Sequence, residues 1–300
     1  VHQENVHFTL SCMTAPPEDE ATRAFRAAMS DPSQGEVVLG ADVALHRPLA
    51  HAFKGTKRVA GRCHLPPEEG GGGLGRPCRI DLNGTGGLFQ VLAGENITLQ
   101  DLEVANAAEG SLAVGRRYQR WDTAAPVLVI GGAFEAIRVL FTGASGAIPA
   151  TVLAYGQAAV SVALRNCSVL DNFNDGSVAL FNPTGAPPPA VPAKVPAEES
   201  AEEPAARRGL ELAPPDALLE IEGLEYSPPA GHNVLHPAVL VISERGAVVR
   251  IRACTFEGIH LPRSEGPDTE RGAAMMIMLS FLAASKVDIE GTTFRNNSLR

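Results

Sequence analysis

The feature that most constrains this chain is a pattern that returns six times: apolar, x, apolar, x, x, apolar, x, apolar, x, turn-former. The copies run Ile97, Leu99, Leu102, Val104, Asn106; Phe134, Ala136, Val139, Phe141, Gly143; and Val162, Leu164, Cys167, Val169, Asp171. They continue as Leu219, Ile221, Leu224, Tyr226, Pro228; Val249, Ile251, Cys254, Phe256, Gly258; and Val287, Ile289, Thr292, Phe294, Asn296. Two apolar residues at period two make a short strand with one face inward. The doubled spacer then shifts the phase, as a bend between two strands does, and a second inward pair follows. Asn, Gly or Asp closes five of the six copies. Those residues most readily take the left-handed conformation that a tight corner needs. An amphipathic helix would instead repeat its apolar residues at i, i+3, i+4 and i+7.

A further apolar strand precedes most copies, at 88–92, 127–130, 151–155, 238–242 and 275–279. Three strands per turn, stacked coil on coil, describe an all-β, right-handed parallel β-helix spanning 1–300 as one domain. Each coil buries its apolar face only against its neighbours. A β-sandwich of alternating strands would show neither the phase shift nor the recurrent corner. Composition fits a narrow core: 45% of residues are hydrophobic, yet aromatics are only 5%. The third apolar position falls at 102, 139, 167, 224, 254 and 292, so long loops of unequal length must leave between coils. The largest holds a Pro-, Ala- and Glu-rich stretch, 187–208, expected to be a disordered or extended insertion.

The N-terminal part lacks the pattern. Pro16 and Pro17 precede the acids Glu18, Asp19 and Glu20, and Ala21, Ala24, Phe25, Ala28 and Met29 share one helical face. A capping helix is expected within 14–31, covering the first coil, with strands following at 36–40 and 42–45. A net charge of −9 argues against nucleic acid and against docking on anionic membranes. The apolar run 273–285 is shorter than the ~20 residues of a membrane helix, and Glu135 and Arg138 interrupt the longer stretch 127–164. The chain begins at Val1 without an initiator Met, and it reads as a fragment whose neighbours include the remaining parts of a longer chain.

The helix at 18–30, the entry Gly35-Glu36-Val37-Val38-Leu39, the strand Leu88-Phe89-Gln90-Val91 and the rung from Ile97 to Asn106 together resemble the pectin-lyase-like superfamily of right-handed β-helix proteins. The resemblance covers most of the chain from about residue 18. It implies the fold, and a range of roles: pectate lyases, polygalacturonases, adhesins and many proteins without a known reaction. The paired Asp-Asp, Gly-His-Gly and Arg-x-Lys combinations of the polygalacturonase type do not occur. Neither do Trp-Ile-Asp-His or Arg-x-Pro-x-x-Arg of the pectate lyase type. No catalytic residue is assigned.

Two polar segments are candidates for ligand contact. Arg116, Arg117, Tyr118, Arg120 and Trp121 lie between coils, followed by Asp122. Aromatic faces suit sugar rings and Arg binds carboxylates bidentately, as a uronic-acid-containing glycan requires. Asp171, Asn172, Asn174 and Asp175 supply oxygen ligands of the kind Ca²⁺ takes; the plainer reading is a polar corner. No other cofactor is implied. His46, His51, His232, His236 and His260 read as surface or loop residues, since no helix is expected to bring them together.

Of five cysteines, Cys63 and Cys78 flank a Pro- and Gly-rich loop that a disulfide would close. Cys167 and Cys254 occupy an inward template position and read as buried free thiols. Asn83, Asn96, Asn166 and Asn296 head glycosylation triplets. These features support a secreted or cell-surface protein. The leading expectation is a non-catalytic extracellular or cell-surface module displaying loops for polysaccharide or protein binding. A polysaccharide lyase or glycoside hydrolase, and a structural spacer in a large surface protein, are the alternatives.

Overall fold

The computed structural model describes residues 17–46, 49, 55–63, 76–84, 87–108, 125–145, 150–155, 159–173, 176–182, 216–231, 237–261, 274–279 and 284–299. The expected insertion at 187–208 lies outside them. The chain forms the expected parallel β-helix with an N-terminal helix. Every strand pairs in parallel with its counterpart one coil away, because each coil repeats the same inward and outward alternation.

The first sheet stacks β1 (Glu36–Leu39), β3 (Thr56–Gly61), β6 (Asn96–Gln100), β9 (Gly132–Ile137), β12 (Val160–Arg165), β15 (Ala217–Glu222), β18 (Ala247–Arg252) and β22 (Lys286–Glu290). The second stacks β2 (Val43–Ala44), β4 (Cys78–Asp81), β7 (Leu102–Ala105), β10 (Leu140–Thr142), β13 (Ser168–Leu170), β16 (Glu225–Ser227), β19 (Thr255–Glu257) and β23 (Thr293–Arg295). The third stacks β5 (Phe89–Leu92), β8 (Val127–Ile130), β11 (Val152–Tyr155), β14 (Val178–Asn182), β17 (Val239–Ser243) and β21 (Met275–Leu279). A short pair, β20 (His260–Leu261) with β24 (Ser298–Leu299), extends the last coils.

The registers carry the sequence template into space. Cys78 faces Leu102. The pairs that follow in the second sheet set Val139, Cys167, Leu224, Cys254 and Thr292 on Leu102 in turn. The column is buried from Cys78 to Cys254. Its first member, Cys78, belongs to a coil whose repeat is hidden in sequence by the insertion 64–77. The inward apolar residues of all three sheets join one continuous core that also takes in Phe25 and Met29, and Leu128, Leu153, Ala179 and Leu240 of the third sheet form a second, separate buried cluster.

Two left-handed residues turn most coils. The second corner is the one that the template marks: Asn106, Gly143, Asp171, Gly258 and Asn296 all have φ between 52° and 70°. The first corner, between the first and second sheets, is also left-handed, at Asp101, Arg138, Asn166, Gly223, Ala253 and Gly291, with φ between 51° and 63°. At Gly223 a Cβ would lie 2.5 Å from Asn166 Oδ1, so any larger residue there would also have to turn that carboxamide aside.

The helix, α1 (Glu20–Ser30), starts later than its proline and acidic lead-in suggests. Asp19 is the N-cap: its carboxylate accepts the Thr22 N–H at 2.7 Å, fixing the first turn. The buried face is Thr22, Phe25 and Met29, whereas Ala24, expected inward, is exposed. The C-terminal end is held by Lys57, a residue that alternation places inward in a column otherwise continuing as Ile97, Phe134 and Val162. Lys57 is 1% exposed. Its ammonium donates to the carbonyls of Ala28 at 3.0 Å, Gln34 at 2.6 Å and Asp31. A cation at a helix C-terminus meets the negative end of the dipole, and all three of its donors have acceptors.

Lys57→Ala therefore leaves those carbonyls without their shared donor and loosens the cap. Denaturant unfolding should show a loss of about 3 kcal/mol, the scale of a hydrogen-bonded buried charge. A variant as stable as the parent would show that α1 does not depend on Lys57.

Candidate functional site

The outer face of the first sheet carries the densest set of charged side chains. Its registers align Glu135, Ala163, Glu220, Arg250 and Asp288 in one row and Ile137, Arg165, Glu222, Arg252 and Glu290 in the next. The sign of charge alternates from coil to coil from Glu220 onward in the first row and from Arg165 onward in the second. Arg165 reaches Glu135 at 3.0 Å, Glu220 at 3.5 Å and Glu222 at 4.0 Å. Arg250 meets Glu220 at 2.5 Å, and Arg252 meets Asp288 at 2.9 Å and Glu290 at 3.8 Å. These side chains are partly solvated, so each pair contributes at most ~1 kcal/mol. Burying one core Leu or Val contributes ~1.5–3 kcal/mol, so the columns hold the fold and the ladder tunes it. Chemically, each carboxylate of the ladder already faces a guanidinium, so a cation or sugar hydroxyl competes with that arginine.

A bidentate pair stands at the first corner. Arg138 Nε and Nη2 donate to the Asp101 carboxylate at 2.6 and 2.9 Å. Arg138 thereby holds the Asp101 carboxyl below its usual range. Asp42 is lowered in the same way by Arg76, which donates at 3.0 and 2.7 Å.

The sequence candidates fall in different places. Arg116, Arg117, Tyr118, Arg120 and Trp121 lie outside the described residues, as do Asn174 and Asp175 of the Ca²⁺ candidate. Asp171 occupies the second corner with φ 53°, and Asn172 is 1% exposed. Asn172 Oδ1 accepts the Ala144 N–H at 2.8 Å, and its Nδ2 donates to Phe141 O at 3.3 Å. The carboxamide thus caps the preceding coil from inside. Asn297 does the same one end further on, with Oδ1 2.9 Å from Ile259 N and Nδ2 2.9 Å from Phe256 O. Both follow a left-handed corner residue, and that pairing, Asp171-Asn172 and Asn296-Asn297, was the available sequence signal. Among the described residues no group of three or more His, Cys, Asp and Glu is arranged to hold a metal ion.

Cys63 and Cys78 form a disulfide with Cα atoms 5.0 Å apart. It closes the coil where the insertion 64–77 interrupts the first corner. Cys167 and Cys254 are free and buried. Leu224 separates them in the column, and burial pushes both thiols above their usual range. Asn83, Asn96, Asn166 and Asn296 are all exposed.

The connections are not distributed evenly. Between the first and second sheets the chain passes from Gln100 to Leu102, Ile137 to Leu140, Arg165 to Ser168, Glu222 to Glu225, Arg252 to Thr255 and Glu290 to Thr293. Between the second and third it passes from Ala105 to Val127, Thr142 to Val152, Leu170 to Val178, Ser227 to Val239 and Glu257 to Met275. The segment with Arg116 to Trp121 is therefore attached at the second junction, which varies in length from coil to coil. A groove of about 500 Å³ lies elsewhere, lined by Ala93, Gly94, Gly132, Ala159, Ser161 and Asp216. The Asp216 carboxylate is paired with Arg245 at 2.6 Å. No helix among the described residues is long and apolar enough to cross a membrane. No protein-family model, curated protein or solved structure matches the chain.

Two outcomes follow from these environments. Cys167 and Cys254 should react with an aromatic disulfide reagent only at the rate of unfolding; titration of two thiols in the folded protein would contradict their burial. Because the Asp101 and Asp42 pKa values are lowered, their stabilisation is complete above the ordinary carboxylate range and is lost as pH falls through the folded values. Asp101→Asn should flatten the decline in unfolding midpoint below about pH 4. An unchanged acid limb would show that the Arg138 pair has no role in it.

Proposed function

We propose that this protein is a non-catalytic β-helix display module of the pectin-lyase-like superfamily, working outside the cell or at its surface, that binds polysaccharide or protein through its inter-coil loops. The observation that carries the reading is the contrast between the first corner and the other junctions. From β6 onward the first corner is held to a residue or two in coil after coil, while the second junction admits segments of widely different length and the third admits the longest, from Asn182 to Ala217. Stacked strands fix both ends of each such segment, which is how a rigid scaffold positions variable binding loops. The Arg116, Arg117, Tyr118, Arg120 and Trp121 segment is attached at the second junction and has the chemistry for an acidic glycan. The disulfide suits an oxidising compartment, and the exposed Asn83, Asn96, Asn166 and Asn296 suit glycosylation there. The charge ladder favours binding over hydrolysis or elimination, because its carboxylates are matched to arginines.

The test is binding of the whole chain to an array of neutral and uronate-containing polysaccharides, read by surface plasmon resonance, with product analysis alongside. Binding to uronate polymers, weakened at least tenfold in Trp121→Ala with an unchanged unfolding midpoint, is expected. New reducing or unsaturated ends would replace this reading with a lyase or hydrolase. Absence of binding to any glycan or surface protein would leave a structural spacer.

A further inference from the structure

Polar side chains inside this structure are bonded as their burial demands. Thr22 and Lys57 donate to backbone carbonyls, and Glu95 accepts the Leu92 N–H at 2.8 Å. Thr151 and Ser177 donate to the carbonyls of Gly176 and Ala238, and Asn172 caps the preceding coil. Asn182 and Ser243 differ. Each is 1% exposed. Neither the nitrogen and oxygen of the Asn182 carboxamide nor the Ser243 hydroxyl has a hydrogen-bond partner. The two are not scattered: Asn182 ends β14, Ser243 ends β17, and the register sets one directly on the other in neighbouring coils. Alternation turns both inward, in line with Val178 and Leu180 in one strand and Val239 and Val241 in the other. Polar groups withdrawn from water need a partner. Two that lack one at the same place in adjacent coils point to a partner they share.

We infer that an ordered water molecule is held between Asn182 and Ser243 and bridges the two coils from inside. The chemistry selects water over an ion. The carboxamide presents N–H donors beside an acceptor oxygen, and the hydroxyl donates or accepts. A cation would meet the N–H groups and an anion the carboxamide oxygen. Water both accepts and donates, as these atoms together require, and buried waters take two to four such partners. Across the third corner stand Ala217 and Ala247, paired in the first sheet and buried. The coil before carries the larger Val160 at this position, so the interior widens at the level of Asn182 and Ser243. The place matters to the fold. Asn182 is the last strand residue before the chain's longest excursion, which returns at Ala217. Its carbonyl already accepts the Glu244 N–H at 2.9 Å. The water adds a side-chain link to that backbone link, fastening both coils at the root of the excursion.

A high-resolution crystal structure of the whole chain should show a water within hydrogen-bond distance of both Asn182 and Ser243. A direct bond between the two side chains, or close packing with no water between them, would overturn the inference. Urea unfolding of Asn182→Leu, Ser243→Ala and the double variant tests it in solution. Each single change strands the polar group left on the other coil, so both midpoints should fall below the parent's. The double variant leaves nothing polar to bridge, and its midpoint should lie above that of either single variant. Single variants at or above the parent's midpoint would show two groups that bind nothing, and additive losses would show that they share no partner; either result removes the water. The crystallographic test uses the unaltered chain, so it decides the matter even if Asn182→Leu fails to fold.

Discussion

The structure depends on one constraint: successive coils must turn at the same place, in the same way, so that side chains stack on their equivalents. The left-handed residue at the first corner enforces it. A single residue with positive φ redirects the chain from β6 to β7 between Gln100 and Leu102. The same device then recurs down to Gly291. Ala253 takes this conformation at a cost of roughly 1–2 kcal/mol. The return is an unbroken column above and below Cys254, and backbone hydrogen bonds such as Thr255 N to Leu224 O at 2.8 Å. Core burial per residue exceeds the conformational cost, so the corner persists even where the residue is unsuited to it.

That inequality explains what could be read in advance. The second corner was legible because Asn106, Gly143, Asp171, Gly258 and Asn296 are residues that favour the left-handed region. The first corner was read only as a change of phase: Asp101, Asn166, Gly223 and Gly291 favour the left-handed region, but Arg138 and Ala253 do not and break the run. Lys57 was not legible at all. Lysine in a strand reads as exposed, and its burial depends on carbonyls at and just beyond the end of a helix, 23 to 29 residues earlier. Asn172 was misleading for a related reason: the same residue type serves as a surface cation ligand and as an inward cap. The coil of β3 and β4 was missed because the insertion 64–77 separates Val59 from Cys78, residues that the disulfide and the stacking bring back together. For the Arg116–Trp121 segment, sequence supplies chemistry and topology supplies the point of attachment.

The charge ladder shows a second way in which coil length hides information. Its partners are separated in sequence by a full turn of the solenoid, as with Glu135 and Arg165, Glu220 and Arg250, or Arg252 and Asp288. Those separations vary with the loops, so no fixed spacing reveals them. Once the coils are stacked, the alternation of sign has a physical role larger than the sum of its weak pairs. Setting the Glu220 and Glu222 coil beside the Asp288 and Glu290 coil would place like charges opposite one another. The ladder thus penalises stacking errors that the apolar columns, nearly uniform from coil to coil, tolerate well.

The coil under α1 shows what closing such a core requires. There the interior stops on Phe25 and Met29 of α1, with Lys57 joining strand to helix through the carbonyls of Ala28 in the last turn and of Asp31 and Gln34 just after it. That arrangement satisfies both the apolar cross-section and the polar groups around it.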